Sequence, residues 1–278
     1  MLTRILASVV LAPLFLTVLL FAPVGITTLM LSGIVTIAAF ELMRAVGAGK
    51  NRYVCAVTLV AAALIPQCYC LQVDAWAVKL ILLCLLLALF LAAVLTYGTE
   101  KAVQAEHVLF GLFGGILYPM LMSSLVQLRM LRPSERDPYG AFFVLLPIVA
   151  AFLTDSGAYF VGMFLGKHRG IIPVSPKKSV EGFIGGLLSG VAFMMLYGFV
   201  LNRFFTLDVN LLIMAVYGLV GGLVTMLGDL SFSLIKRQFG IKDYGSLIPG
   251  HGGMLDRFDS MSFAAPTMWL LVTLFPAF

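Results

Sequence analysis

The sequence predicts an all-α protein that crosses a membrane many times. Hydrophobic residues make up 61% of its 278 residues, and charged residues make up only 11%. A water-soluble domain carries about 25% charged residues to cover its surface. The apolar residues also fall in runs of about 20, the length that an α-helix needs to cross the hydrocarbon core of a bilayer. Because the chain is rich in Leu, Phe, Val and Ile, intrinsic disorder is excluded.

Nine apolar runs, separated by charged residues or by Gly and Pro, predict about nine transmembrane helices. They lie near 5–22, 24–45, 53–72, 76–97, 107–128, 140–164, 181–202, 211–237 and 260–277. The first run follows Arg4 as a signal peptide would, but no small-residue cleavage site follows, so we expect a membrane anchor. We divide the chain into 1–139, which holds five spans, and 140–278, which holds the other spans and the motifs that carry the chemistry.

The distribution of Lys and Arg predicts the orientation of the chain. In the nine-span arrangement, successive loops lie on opposite sides of the membrane. Thirteen of the eighteen Lys and Arg residues then lie on the same side as the amino terminus. Basic residues accumulate on the cytoplasmic side of membrane proteins, so we expect the amino terminus in the cytoplasm. The net charge of +5 therefore indicates orientation and not nucleic-acid binding. The two longest cytoplasmic loops, 165–180 and 238–259, are also the richest in polar residues.

Two carboxylates are predicted within membrane spans, Asp155 in the sixth and Asp229 in the eighth. An ionised carboxylate there costs at least about 2.5–3.5 kcal/mol, which favours a functional role over a polar pair that only locks helices together. Asp229, Ser233 and Lys236 stand at i, i+4 and i+7, on one face of a helix. This stripe suits a polar cavity open to the cytoplasm. Lys236 and Arg237 alone would fit an ordinary helix end at the headgroups.

A second charged pair, Glu41 and Arg44, lies near the cytoplasmic end of the second span. The two residues are three positions apart, so their side chains can meet on one helix face. We therefore expect a local ion pair at the membrane surface, with no part in a functional site.

The segment 242–260 combines a Gly-rich loop with two carboxylates. Its four glycines let backbone N–H groups approach a bound anion closely. If 254–260 forms the first turn of a helix, Asp256 and Asp259 stand at i and i+3 and point the same way. Paired carboxylates beside phosphate-binding groups suit Mg²⁺. Lys242 and Arg257 would balance phosphate charge, and His251 fits a structural role in the loop as well as a hydrogen bond to phosphate.

The loop at 165–180 carries a second polar set. It ends in Ser175-Pro176-Lys177-Lys178, whose composition is typical of an anion-binding turn. Glu181 then begins the next helix, where the helix dipole favours an acid. The alternative is a basic segment that touches anionic lipid at the membrane surface. Both interpretations hold if the substrate is itself an anionic lipid.

Together these segments resemble the signature of the phosphatidate cytidylyltransferase family, also called CDP-diacylglycerol synthase. The resemblance covers roughly 150–260, while the first five spans match only in being apolar and similarly placed. Ser156 and Ser179-Val180 stand where many members carry Thr and Thr-Trp. The matching segments are Asp155-Ser156-Gly157-Ala158-Tyr159, Ser175-Pro176-Lys177-Lys178, Ser233, Lys236-Arg237, Lys242-Asp243, Pro249-Gly250-His251-Gly252-Gly253, Asp256-Arg257 and Asp259.

The resemblance implies an enzyme that transfers the cytidylyl group of CTP to phosphatidate, giving CDP-diacylglycerol and pyrophosphate. It further implies Mg²⁺, a second, monovalent cation such as K⁺ beside it, and a homodimer. The compact chain fits the inner membrane of a bacterium. One water-soluble and one bilayer-bound substrate require a cleft that opens both to the cytoplasm and to lipid.

The resemblance also assigns roles to individual residues. The expected metal ligands are Asp229, Asp256 and Asp259. The expected phosphate-binding residues are Lys236, Arg237, Lys242 and Arg257, and Lys236 and Lys242 join the three acids as catalytic residues. The expected supporting contacts to substrate are Ser233, Asp243, His251, Asp155, Lys177 and Lys178.

Three other functions stay open at this point. A CTP-dependent lipid or polyprenol kinase would use the same nucleotide but transfer the γ-phosphate to a hydroxyl. An ion-coupled transporter would place Asp155 and Asp229 at the midplane, although no inverted repeat is visible. A CDP-alcohol phosphotransferase is disfavoured because the opening of its motif is absent.

Overall fold

The computed structural model describes residues 13–100, 102–131, 139–205, 207–247 and 252–278. Within these ranges the regular secondary structure is helical, and an isolated antiparallel bridge pairs Arg169 with Ser179. Residues 13–21 are helical and precede the first labelled helix. The labelled helices are α1 Val24–Ala45, α2 Arg52–Cys70, α3 Ala75–Thr96, α4 Ala105–Met130, α5 Tyr139–Leu165, α6 Val180–Phe205, α7 Leu211–Gln238, α8 Leu255–Phe258 and α9 Met261–Leu274.

Seven of these helices, α1 to α7, are long and apolar enough to cross a membrane. They match the second to eighth predicted spans, so the all-α, multi-pass prediction is confirmed. The first predicted span lies partly outside the described residues. The ninth corresponds to α9, whose 14 residues extend about 21 Å, less than the hydrocarbon thickness of about 30 Å. The total number of crossings and the orientation stay predictions.

Several helices begin at residues whose side chains satisfy the free N–H groups of the first turn. Asn51 Oδ1 accepts two hydrogen bonds from the first turn of α2, at 3.1 and 3.2 Å. Asn210 Oδ1 does the same for α7, at 3.0 and 3.2 Å. Ser179 Oγ accepts one at 3.1 Å at the start of α6. These short polar side chains therefore fix where three of the apolar helices begin.

The helices belong to two compact units. Unit 1 contains Met1–Met130 and Gln238–Phe258, and unit 2 contains Leu131–Arg237 and Asp259–Phe278. The Gly-rich segment thus packs with the amino-terminal helices, although the chain on either side of it belongs to unit 2. The division at residue 140, which rests on where the motifs lie in the sequence, stays a prediction.

Unit 1 is built around α1, which packs against α2 and α4. Helix α4 contains a π-helical turn at Phe113–Leu117. Gly114 and Gly115 lie in this turn and bring α4 close to its neighbours: an added Cβ would lie 3.3 Å from Leu42 at Gly114 and 2.7 Å from Leu85 at Gly115. Small residues at helix contacts are typical of membrane proteins, where close packing drives association.

Unit 2 is built around α5, α6 and α7, which approach one another through glycines. A Cβ added at Gly218 of α7 would lie 2.6 Å from both Gly190 O and Val191 Cα of α6. A Cβ at Gly190 would lie 2.5 Å from Thr154 Oγ1 of α5. Because backbone atoms cannot move aside as a flexible side chain can, the α6–α7 contact requires glycine.

We predict that Gly218→Ala destabilises the protein by about 1–3 kcal/mol, the usual cost of overpacking a well-packed contact. The matched control is Gly33→Ala in α1, where an added Cβ would have nothing within 4 Å. Alanine there should be neutral or slightly stabilising because it favours the helix. Thermal unfolding of the purified variants in detergent would measure both effects. Equal unfolding temperatures for the two variants would contradict the close α6–α7 contact.

Candidate functional site

Unit 2 gathers three carboxylates from three different elements. Asp155 comes from α5, Asp229 from α7, and Asp259 from the turn that precedes α9. The charged neighbours of Asp155 are Asp229, Asp259 and Lys178. The sequence prediction named all four residues, and the structure brings them together. We refer to these four residues with Ser260 as the acid cluster.

Lys178 supplies the positive charge of the acid cluster. Its Nζ forms an ion pair with Asp229 Oδ2, and both side chains are about one-third exposed or less. The turn that presents Lys178 is closed by the hydrogen bond from its backbone N–H to Ser175 O at 3.1 Å. The composition of the Ser-Pro-Lys-Lys segment therefore predicts the turn correctly, and its second lysine faces the acids. Lys177 is exposed.

Glu181 holds the first part of this loop against the start of α6. Its carboxylate accepts hydrogen bonds from the backbone N–H groups of Lys167, at 3.1 Å, and His168, at 3.2 Å. His168 Nδ1 also lies 2.5 Å from Glu181 Oε1. These contacts fasten the start of the loop to the first turn of α6.

Ser260 links two of the carboxylates, and sequence reasoning missed it. Its hydroxyl oxygen lies 3.3 Å from Asp155 Oδ2 and 3.3 Å from Asp259 Oδ1. Its backbone N–H donates to Asp259 Oδ1 at 2.7 Å. Gly228 allows α7 to approach this turn, because a Cβ there would lie 3.2 Å from Ser260 Cα. Its position directly after the Asp256-Arg257-Phe258-Asp259 run was the feature of the sequence that could have indicated its role.

The polar stripe on α7 is a helix face, as the spacing predicts. Helix α7 runs unbroken through Asp229, Ser233 and Lys236. Ser233 and Lys236 are both buried, each with 9% exposure. Arg237 follows, and its Nε lies 3.5 Å from Val174 O. The burial of Lys236 differs from what an exposed stop signal at the headgroups would show. The polar cavity open to the cytoplasm stays a prediction.

In unit 1, Asp256 organises the Gly-rich segment. Its Oδ2 accepts hydrogen bonds from the backbone N–H of Tyr244, at 2.8 Å, and of Gly253, at 3.0 Å. Gly252 adopts φ +86°, which favours glycine, and an added Cβ would lie 3.1 Å from Asp256 Oδ2. Asp256 therefore ties together the two ends of the loop between Tyr244 and Gly253.

The other residues predicted in this segment are less enclosed. Lys242, Asp243 and Arg257 are exposed. His251 lies outside the described residues. The expectation of one helical turn over 254–260 is wrong, because α8 ends at Phe258 and Asp259 lies in the turn before α9. Asp256 and Asp259 therefore do not share a helix face.

The donor chemistry of the acid cluster fits Mg²⁺. Among the described residues, no group of three His, Cys, Asp or Glu side chains is close enough to hold a metal ion by itself. Mg²⁺, however, uses one or two protein carboxylates and completes its coordination with water and phosphate oxygens. Asp229 and Asp259 are both charged neighbours of Asp155, and Ser260 joins Asp155 to Asp259, so more than one carboxylate is available in one place.

These features define an integral membrane protein with a charged site inside a helical unit, the arrangement expected when the substrate or coupled ion is itself charged. The chain belongs to the cytidylyltransferase family, whose model matches residues 2–275. The resemblance predicted from the signature segments is thereby confirmed.

Individual relatives support this assignment. The phosphatidate cytidylyltransferase of Bacillus subtilis is 34% identical over 193 residues, covering 68% of this chain and 67% of the relative. The proteins of that name from Staphylococcus aureus and Staphylococcus epidermidis are 41% identical over 140 residues and 39% identical over 138 residues. In both cases the match covers 50% of this chain and 52% of the relative. The chain therefore spans about half the length of the staphylococcal relatives it matches.

We predict that Lys178→Met and Asp229→Asn have strongly non-additive effects on stability. Lys178→Met leaves Asp229 beside Asp155 without a compensating cation, so it should lower the unfolding temperature. In an Asp229→Asn background the same lysine change should cost much less. Thermal unfolding of the two single variants and the double variant measures the coupling, which we expect within about 0.5–3 kcal/mol. Additive effects would contradict the pairing of Lys178 with Asp229.

Proposed function

We propose that this chain transfers the cytidylyl group of CTP to phosphatidate and releases CDP-diacylglycerol and pyrophosphate. The observation that carries the proposal is the acid cluster, in which three carboxylates and a lysine are gathered inside a membrane-spanning unit. Such charges are expensive in a membrane and are retained where they act on a substrate. Membership in the cytidylyltransferase family and the names of the relatives support the same activity.

The reaction requires little acid–base chemistry from the protein. A phosphatidate oxygen forms a bond to the α-phosphorus of CTP, and the bond from that phosphorus to the oxygen bridging to the β-phosphate breaks. The attacking phosphate is largely deprotonated near neutral pH, since the second pKa of a phosphate monoester is about 6. The protein must instead bring two anions together, neutralise their charge and align them in a straight line for displacement.

The residues of the acid cluster suit this task. Asp229 and Asp259 are the proposed Mg²⁺ ligands in unit 2, and bound Mg²⁺ would neutralise charge on phosphate oxygens. Lys178 holds Asp229 through their ion pair, and Ser260 holds Asp155 and Asp259 together. Asp155 and Lys178 are the proposed contacts to phosphatidate or to nucleotide.

The basic residues outside the cluster are proposed to bind phosphates. Lys236 and Arg237 lie in the last turn of α7. Lys242 and Arg257 are exposed on the Gly-rich segment of unit 1. Backbone N–H groups of that segment would assist them, as they do in other Gly-rich anion sites. Asp256 belongs to unit 1, and its Oδ2 already accepts two backbone hydrogen bonds. Its role as a metal ligand stays a prediction.

We further propose that the site faces the cytoplasm, where CTP is found, and that it opens sideways to the lipid that supplies phosphatidate. The excess of Lys and Arg in the loops on that side supports this orientation. We also propose that the protein resides in a bacterial inner membrane and that it forms a homodimer. A second, monovalent cation is proposed beside Mg²⁺. The bacterial origin of the relatives supports a bacterial membrane as the location.

The activity is tested with purified protein in detergent, phosphatidate, Mg²⁺ and CTP labelled at the α-phosphate. We expect the label in the lipid fraction together with released pyrophosphate. Label that stays in the aqueous fraction as CDP, with lipid labelled only from γ-labelled CTP, would establish the kinase instead. The kinase is not favoured, because the relatives are named cytidylyltransferases.

We predict that Asp259→Asn lowers turnover at least about 100-fold, the usual cost of removing one electrostatic contact to a developing charge. The protein should remain folded, because an amide oxygen can still accept the hydrogen bond from the Ser260 N–H. Asp208→Asn is the matched control, since Asp208 is exposed before α7. Initial rates at limiting Mg²⁺ and thermal unfolding of both variants make the comparison. Full activity of Asp259→Asn would remove Asp259 from the proposed metal site.

A further inference from the structure

Glu41 is a buried carboxylate that the proposed chemistry does not use. It lies near the carboxyl end of α1 with 4% exposure. Its Oε2 accepts a hydrogen bond at 2.9 Å from the backbone N–H of Leu255, 214 positions later in the chain. The predicted local ion pair between Glu41 and Arg44 is wrong, because Glu41 binds the Leu255 N–H and Arg44 binds the Tyr244 carbonyl instead.

The same carboxylate is in close contact with two places on that segment, Gly245 and Gly253. A Cβ added at Gly245 or at Gly253 would lie 2.6 Å from Glu41 Cδ, closer than any two such atoms can approach. The absence of side chains at these two positions therefore lets the backbone close around the carboxylate. The glycines that suggested an anion-binding loop in the sequence serve, at these positions, to admit Glu41.

Arg44, one turn further along α1, adds a second contact. Its Nη2 donates to Tyr244 O at 3.3 Å, and the Tyr244 N–H donates to Asp256 Oδ2 at 2.8 Å. Gly253, packed on Glu41, donates its N–H to the same oxygen at 3.0 Å. Helix α1 thus contacts the residues of two backbone donors to Asp256 Oδ2, Tyr244 and Gly253.

We infer that Glu41 is a positioning residue: its carboxylate holds both flanks of the Gly-rich segment and thereby fixes Asp256 and the chain around it. The polar residues on this segment are proposed to bind phosphate, so Glu41 acts on the reaction through the segment. Only the effect of Glu41 on activity rests on the proposed function. The anchoring of the segment can be measured without any substrate.

Hydrogen exchange followed by mass spectrometry tests the anchoring in the full-length protein in detergent. The variants are Glu41→Ala, which removes the acceptor, and Glu41→Gln, which keeps one acceptor oxygen and nearly the same shape. The control is Glu106→Gln, the same change at an exposed position of unit 1. We expect exchange at Tyr244, Gly253 and Leu255 to rise at least about tenfold in Glu41→Ala, as for loss of a hydrogen bond to a charged group.

Glu41→Gln should show a smaller rise, and Glu106→Gln none. Peptides from 168–180 in unit 2 should exchange as in the unchanged protein. Unchanged exchange of the Gly-rich segment in both Glu41 variants would overturn the inference. A rise spread evenly over α1, α2 and α4 would also overturn it, since Glu41 would then support the whole unit.

Activity provides the second measurement, through Gly253→Ala. In the unchanged protein the new methyl group collides with Glu41, so turnover of labelled CTP should fall at least about tenfold, as for comparable displacements of positioning groups. In a Glu41→Ala background the collision is absent, so the same glycine change should add little. Equal loss in both backgrounds would overturn the inference. If the unchanged protein shows no turnover, the proposed function fails while the exchange result still decides the anchoring.

Discussion

Carboxylates inside a membrane must find a cation or hydrogen-bond donors, and the arrangement of this protein follows from how its acids are satisfied. Asp229 pairs with Lys178, and Asp155 and Asp259 share the hydroxyl of Ser260. The contacts of Lys178 with Asp229 and of Ser260 with Asp155 join elements that are distant in the sequence. The loop before α6, the helices α5 and α7, and the turn before α9 are therefore tied together by the same charges that the proposed reaction needs.

Local sequence patterns predicted the helices and much of the acid cluster. The apolar runs placed α1 to α7 because the length and the composition of a membrane helix are both local properties. The spacing of Asp229, Ser233 and Lys236 required only that α7 be unbroken, and it is. The expectation for Asp256 and Asp259 was wrong because it assumed a continuous helix, whereas α8 ends at Phe258. A helix end inside a short polar segment has no comparable local signature.

The contacts that the sequence did not predict are long-range. Glu41 and Arg44 have the spacing of a local ion pair, and nothing near them in the sequence indicates the partners at Leu255 and Tyr244. Ser260 directly follows a segment with three charged residues, and a neutral serine beside them gave no sign of a role in the site. The last signature segments follow one another closely from Ser233 to Asp259, yet the residues from 238 to 258 belong to unit 1 and those on either side to unit 2. A pattern along the chain cannot show that division.

The separation between Glu41 and Leu255 has a consequence for the synthesis of the protein. The two residues are 214 positions apart, and translation proceeds at about 5–20 residues per second, so Glu41 is made about 10–40 s before its partner. During that time a carboxylate near the end of a membrane helix lacks the backbone N–H that satisfies it in the finished protein. Unit 1 therefore cannot be completed as its helices emerge, and its assembly waits until the segment around Leu255 has been translated.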